Sequence, residues 1–409
     1  MNKNDTFETV NPVFNTAKFT LTMLAETGIS EASEYLNILG FSDKEARYGV
    51  PEDADDAKKI NYIVLEARYR FLNRVIEEEK YTNVLDLACG FSPRGVLMEK
   101  LGIKYVGGDL PATVQLLTNA GSHVNYQTVD VTNPRTIIDA AASLNGPIAI
   151  TTEGLFMYLT RNETSQFLKG IRSLLKEKGG CFYTPDFNSK EIFFTTAAQA
   201  YGREKAIEVL TKYRDKLNST SQASISDTLV GRDVKKEEQL EFFNRHGLVV
   251  EEIPFVKEET VINSLSYYDK ATAGRMHAGL CHVNGWKVSL DENFIEPDDF
   301  NVVLSDEKQG KNCSCVLNGT TLKMSLFGRI DTISAPEVLN MFEQISADKN
   351  ITDVAIDMEE LEYISSAGLR VILLITKKIN TSPRVFNANE AIREIFETTG
   401  FEQVVSFEE

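Results

Sequence analysis

Four acidic side chains follow short apolar runs at similar spacing: Asp86, Asp109, Asp130 and Glu153. A carboxylate has two acceptor oxygens, so it can take both hydroxyls of a ribose diol. An acid beside an apolar residue can hold an adenine amine and cover the ring face, which suits Asp130-Val131. The first acid opens the stretch Asp86-Leu87-Ala88-Cys89-Gly90-Phe91-Ser92-Pro93-Arg94-Gly95. Its small residues let the backbone approach a ligand, and Gly90 can adopt a positive φ. Any one of these acids reads equally well as a turn or helix cap. In register at successive strand ends, they read as a ligand rim.

The bend lacks the G-x-G-x-x-G of dinucleotide sites and the Gly-Lys-Ser/Thr ending of a phosphate loop. An adenosyl ligand without phosphates fits it better, and S-adenosyl-L-methionine is such a ligand. The carboxylate of that ligand needs a cation, for which Arg70 and Arg94 are the candidates, with Arg68 behind them. Glu153-Gly154 ends the fourth strand at the same rim, and Phe156 and Tyr158 after it offer aromatic faces of the kind that suit a cationic sulfonium. Methyl transfer is a displacement that depends on alignment, and positioning can supply on the order of 7–11 kcal/mol. An acceptor carboxylate needs no base. Among His123, His246, His277 and His282 none stands out as one.

A second group of reactive side chains lies near the carboxyl end, in Tyr363-Ile364-Ser365-Ser366-Ala367-Gly368-Leu369. A strand here leads into an amphipathic helix, and Ser366 is expected to cap it. A phosphate on Ser366 would meet the positive end of the helix dipole, and Ser365 is the alternative site. Cys313 and Cys315 suggest a metal or redox pair. Their one-residue spacing, with no neighbouring His or second Cys pair, predicts no metal site.

These residues need a scaffold. Helical patterns occupy Asn11 to Glu26 and Ala57 to Glu79, followed by strands at Val84–Leu87, Tyr105–Gly107, Tyr126–Val129, Ile148–Thr151 and Gly180–Thr184. Helices fit between them, which predicts an α/β, Rossmann-like unit with a mainly parallel sheet covered on both faces. Leu248–Ile253 and Trp286–Leu290 would close the sheet. The early helices and an insert from Glu191 to Asp233 would form a lid. An acidic, aperiodic stretch at 291–312, with one short strand at Asn301–Leu304, reads as a linker. It would separate a first domain (1–290) from a small α/β domain (313–409).

Composition narrows the partners. Lys and Arg total 43 against 60 for Asp and Glu, a net charge of −17, which argues against nucleic acid and anionic membrane surfaces. The apolar runs are too short to span a bilayer, and the first residues lack a signal-peptide pattern. Five scattered cysteines fit a reducing, cytoplasmic setting rather than a disulfide framework.

Two resemblances follow. Tyr62 to Phe187 resembles the leucine carboxyl methyltransferase-like branch of the class I S-adenosylmethionine-dependent methyltransferases. The residues that carry it are Arg68-Tyr69-Arg70-Phe71, Leu85 to Arg94, Asp109-Leu110-Pro111 and Glu153-Gly154-Leu155-Phe156-Met157-Tyr158-Leu159. Ala88 and Ser92 stand where that family usually has Gly and Asp, and Asn73 replaces an acid. The resemblance implies that Arg70 holds the methionine carboxylate, Gly90 passes beneath the cofactor, Asp109 takes the ribose and Asp130 the adenine. It implies methyl transfer to a small-molecule or carboxylate acceptor. The tail from Cys315 to Glu409 resembles the STAS domain of anti-sigma factor antagonists, through Gly328-Arg329-Ile330-Asp331 and Tyr363 to Leu369. It implies phosphorylation of Ser366 by a partner serine kinase that is usually also the anti-sigma factor, with a phosphatase to reverse it. Ser365 stands where an acid is often found. The competing reading is a non-catalytic sensor of cofactor or metabolite that acts through the tail.

Overall fold

The computed structural model describes residues 12–41, 54–220, 228–231, 234–294, 308–309, 312–318, 320–346 and 351–408. The chain divides into two compact units, Met1–Glu296 and Pro297–Glu409. The division falls within the acidic stretch read as a linker. The strand expected at Asn301–Leu304 lies outside the described residues.

The first unit is built on seven strands: β1 (Asn83–Leu87), β2 (Lys104–Asp109), β3 (Tyr126–Thr128), β4 (Ile148–Thr152), β5 (Gly180–Thr184), β6 (Leu248–Pro254) and β7 (Asn284–Leu290). Their order is β3-β2-β1-β4-β5-β7-β6. Strands β1 to β5 are parallel, and β7 runs antiparallel to both β5 and β6. Every residue of β1 and β4 is buried, as expected of central strands covered on both faces. After β3 the chain returns past β1 to place β4 on its other side. Strand order therefore reverses between β1 and β4, and a cleft opens at the carboxyl ends of such neighbours.

Helices α1 (Pro12–Glu26), α2 (Ser30–Ile38) and α3 (Asp56–Glu78) precede the sheet. The sequence pattern indicated α1 and α3 but not the short α2. Asp55 starts α3 by accepting from the Lys58 N–H at 2.7 Å. Helices α4 (Arg94–Lys100), α5 (Pro111–Asn119), α6 (Pro134–Ala140) and α7 (Arg161–Lys178) connect the parallel strands. A reciprocal capping box of Thr160 and Glu163 opens α7. The insert forms α8 (Ser189–Tyr201) and α9 (Arg203–Thr220), and α10 (Lys236–Arg245) and α11 (Lys270–Leu280) flank β6.

In the second unit, β8 (Lys308–Gln309), β9 (Cys313–Asn318), β10 (Thr321–Leu326), β12 (Asp353–Asp357), β14 (Arg384–Phe386) and β15 (Ser406–Phe407) form a sheet in the order β15-β14-β12-β10-β9-β8. β11 (Gly328–Ile330) and β13 (Leu361–Ile364) pair in parallel as a separate ladder. Helices α12 (Ala335–Ser346), α13 (Ser366–Ile379) and α14 (Glu390–Thr398) complete the unit. A Cβ on Gly368 would lie 2.7 Å from the Ile364 side chain and 2.8 Å from that of Ile330, so only glycine lets α13 sit this close to the ladder.

Candidate functional site

The tips of β1, β2, β4 and β5 meet around the bend that follows β1. Ala88 and Gly90 both lie in the left-handed region, at φ +52° and +51°. Gly90 adopts this at no cost, whereas Ala88 holds a conformation that disfavours its Cβ. The turned backbone points the Gly90 N–H at Asp109, whose Oδ2 accepts it at 2.8 Å; Oδ1 accepts the Leu110 N–H at 2.8 Å. The acid at the β2 tip and the small-residue bend after β1 are thus in direct contact. Burial pushes the Asp109 carboxyl up, against the pull of these N–H donors. Beside it, the Leu110 side chain is 45% exposed, an apolar surface next to the carboxylate.

Asp86 and Arg94, both expected at the cofactor, are bonded to each other. Arg94 is 1% exposed and its guanidinium is engaged all round. Nε donates to Asn73 at 2.9 Å, Nη1 to Asp86 at 2.7 Å and Nη2 to Glu153 at 3.4 Å, while the group lies over the Tyr69 ring. Asp86 also accepts from the Tyr105 and Thr151 hydroxyls at 2.9 and 2.7 Å. The pair forms a buried brace beneath the rim, with no face turned to a ligand carboxylate.

The other two arginines face different ways. Arg68 lies 3.4 Å from Glu153 and 3.1 Å from Asp186. Arg70 is held through Nε by the fully buried Glu66 at 2.8 Å, and Glu66 also accepts the Asn263 and Ser264 N–H groups and the Ser264 hydroxyl. The Nη groups of Arg70 have no partner among the described residues, and the side chain is partly exposed. It presents an open fork.

Asp186 carries no assignment from the sequence, although Thr184-Pro185-Asp186 ends β5 in the same way that the other acids end their strands. Its carboxylate accepts from the backbone of Gly154 and Leu155, both at 2.8 Å, and of Phe156 at 3.2 Å. It thereby fixes the loop after β4, where Gly154 turns at φ +74°. Around Glu153, three carboxylates (Asp86, Glu153, Asp186) meet two guanidiniums (Arg68, Arg94). Each arginine sits closer to an aspartate than to Glu153, so the uncompensated negative charge falls on Glu153. Burial pushes its carboxyl up, with Arg68 and Arg94 opposing.

The remaining expected residues are less gathered. Asp130 is exposed and accepts from the Thr132 N–H and hydroxyl at 2.9 and 2.7 Å, with Val131 half-buried beside it. Tyr158 is bonded to Thr16 of α1, and burial raises its phenol. Phe156, expected near a sulfonium, points instead into the core against Phe167, Phe182 and Phe187. Helix α1 closes over the bend: a Cβ on Gly90 would lie 3.2 Å from that of Ala17.

In the second unit the roles of the paired serines separate. Ser365 is the helix cap, its Oγ accepting the Gly368 N–H at 3.4 Å. Ser366, expected to cap, is the first helical residue and its side chain is exposed. No group of three or more metal-ligating side chains occurs among the described residues. None of their helices is long and apolar enough to cross a membrane.

Residues 315–409 match the family model of the STAS domain. A curated protein named as an anti-sigma factor antagonist, BtrV of Bordetella bronchiseptica, is 42% identical over 57 residues, which is 13% of this chain and 49% of that protein. The chain thus spans about half the length of that relative. Among solved structures, the anti-sigma factor antagonist SpoIIAA in its unphosphorylated form is 15% identical with a TM-score of 0.22, covering 23% of this chain and 84% of SpoIIAA. Magnesium protoporphyrin IX methyltransferase from Synechocystis PCC 6803 with bound SAH is 12% identical with a TM-score of 0.33, covering 63% of this chain and 95% of that enzyme. The mainly parallel sheet, with its strand order and reversed β7, gives the first unit its class on internal grounds. The chain therefore carries a STAS domain at residues 315–409 behind a larger unit of mainly parallel α/β fold.

Proposed function

We propose that the first unit is an S-adenosyl-L-methionine-dependent methyltransferase, of the leucine carboxyl methyltransferase-like branch, that methylates an oxygen or carboxylate. We propose further that the STAS domain is a partner-binding module controlled by phosphorylation of Ser366. The observation that carries the first part is the contact of Asp109 with the Gly90 N–H at the switch point of the sheet. The Asp109 carboxylate spends two lone pairs on the Gly90 and Leu110 N–H groups and a third on the Thr113 hydroxyl, which leaves one for a ribose hydroxyl. Leu110 offers its exposed face to the adenine, and Asp130 stands at the next tip. The open fork of Arg70 suits a carboxylate, and the excess charge at Glu153 suits a cation. When bound, the cofactor would supply a methyl carbon activated by its sulfonium. The protein's part is to orient the acceptor and to exclude water, which α1 does by covering the bend.

The exposure of Ser366 at the start of α13 supports the second part. A phosphate there would meet free helical N–H groups and add about two negative charges to the surface. A serine kinase of the anti-sigma type and an opposing phosphatase are the partners this implies.

Incubation with methyl-labelled cofactor and a panel of carboxylate and hydroxyl acceptors tests the enzyme. Label should pass to an acceptor. If the chain binds cofactor, transfers nothing across the panel, and cofactor alters phosphorylation of the tail, the non-catalytic sensor is the correct reading.

A further inference from the structure

Cys313 and Cys315 occupy alternate positions of β9 and so share one face, which is the buried face of the second unit: they are 1% and 0% exposed. Their sulfurs lie 3.6 Å apart, in contact with each other. Alternate Cα atoms on a strand are separated by about 6.6 Å, within the span that a disulfide bridges. Strand β9 has β10 on one side and only the two-residue β8 on the other. We propose that Cys313 and Cys315 form an oxidation site that a small peroxide converts to an intrastrand disulfide.

The step balances. One thiolate attacks a peroxide oxygen, giving a sulfenic acid and releasing hydroxide; the second sulfur then attacks the first and expels water. Two thiols and one hydrogen peroxide become one disulfide and two waters. The bond to Cys315, then burial, holds the Cys313 thiol well above its usual range, so the first step accelerates as pH rises. Closing the ring pinches Ser314, whose register partners are Ser325 on β10 and Gln309 on β8. The bridge therefore loosens the edge where the second unit begins.

The full chain, folded and again in urea, is exposed to hydrogen peroxide and quenched, and both samples are then alkylated in urea, digested and weighed. From the folded chain the peptide bearing both residues should lose two hydrogens, about 2 Da, and resist alkylation. In urea this bridge should form less readily, because only the one-residue tether then holds the sulfurs near each other. Cys313→Ser should abolish the loss. The proposal is overturned if both thiols still alkylate after the partly exposed Cys281 has been oxidised. It is equally overturned if the peptide gains oxygen instead of losing hydrogen, or if the bridge forms as readily in urea.

Discussion

A guanidinium as deeply buried as that of Arg94 stays in a protein only when acceptors surround it. Asn73, Asp86 and Glu153 do so here, and they come from α3, β1 and the loop after β4. The group therefore sets the distance between three elements that shape the rim. Arg94→Met should cost about 3–5 kcal/mol in urea denaturation, because Asp86 would remain buried without its cation. A loss below 1 kcal/mol would show that the brace is dispensable. The individual acids were legible in the sequence, since each follows a short apolar run. The brace was not. It depends on sequence positions 73, 86 and 94 being brought together by the packing of α3 on the sheet, and a side chain's partners are not written in its own neighbourhood. The same reason places Phe156 in the core, because its loop is turned by Asp186, thirty residues on.

At the scale of elements, the two serines before α13 show how much one residue matters. Ser365 bonds the Gly368 N–H and Ser366 is exposed, yet a sequence pattern fixes a helix start only to within a residue or two. Ser365→Ala should lower the stability of the second unit by about 1 kcal/mol. Ser366→Ala should change it by less than about 0.5 kcal/mol and should abolish labelling by a cognate serine kinase. Labelling that persists in the Ser366→Ala protein would move the site to Ser365 or elsewhere. Strand positions in the first unit were legible from apolar runs bounded by turn residues, whereas β8, β9 and β15 of the second were not read from the sequence. The reversal of β7 was not, because an apolar run reads the same in either direction. Likewise α2 escaped notice, since nine residues with three acids or amides carry little helical periodicity.

Across the whole molecule, one buried base makes stability depend on pH. His246 sits between the Ser165 hydroxyl at 2.6 Å and the Phe242 carbonyl at 2.7 Å, and burial lowers its imidazolium pKa to about 4. The unfolded chain keeps the ordinary value near 6.5, so it binds more protons between those limits. Stability is therefore level above pH 6.5 on this account and falls as pH drops towards 4, by up to about 3 kcal/mol. Between pH 7.5 and 5 the unfolding free energy of the wild type should fall by about 2 kcal/mol more than that of His246→Gln, an average of roughly 0.6 proton. Identical slopes would mean that His246 takes up its proton without opening its pocket.

The central claim concerns the ends of β1 and β2, where Asp109 and the Gly90 bend are joined. Calorimetry with S-adenosylhomocysteine, on the full chain and on Asp109→Ala, tests it most directly. The wild type should bind one equivalent, and the substitution should weaken binding by about 1–3 kcal/mol while the protein remains folded. No heat of binding to the wild type, or equal affinity in the folded variant, would contradict an adenosyl site at these strand tips.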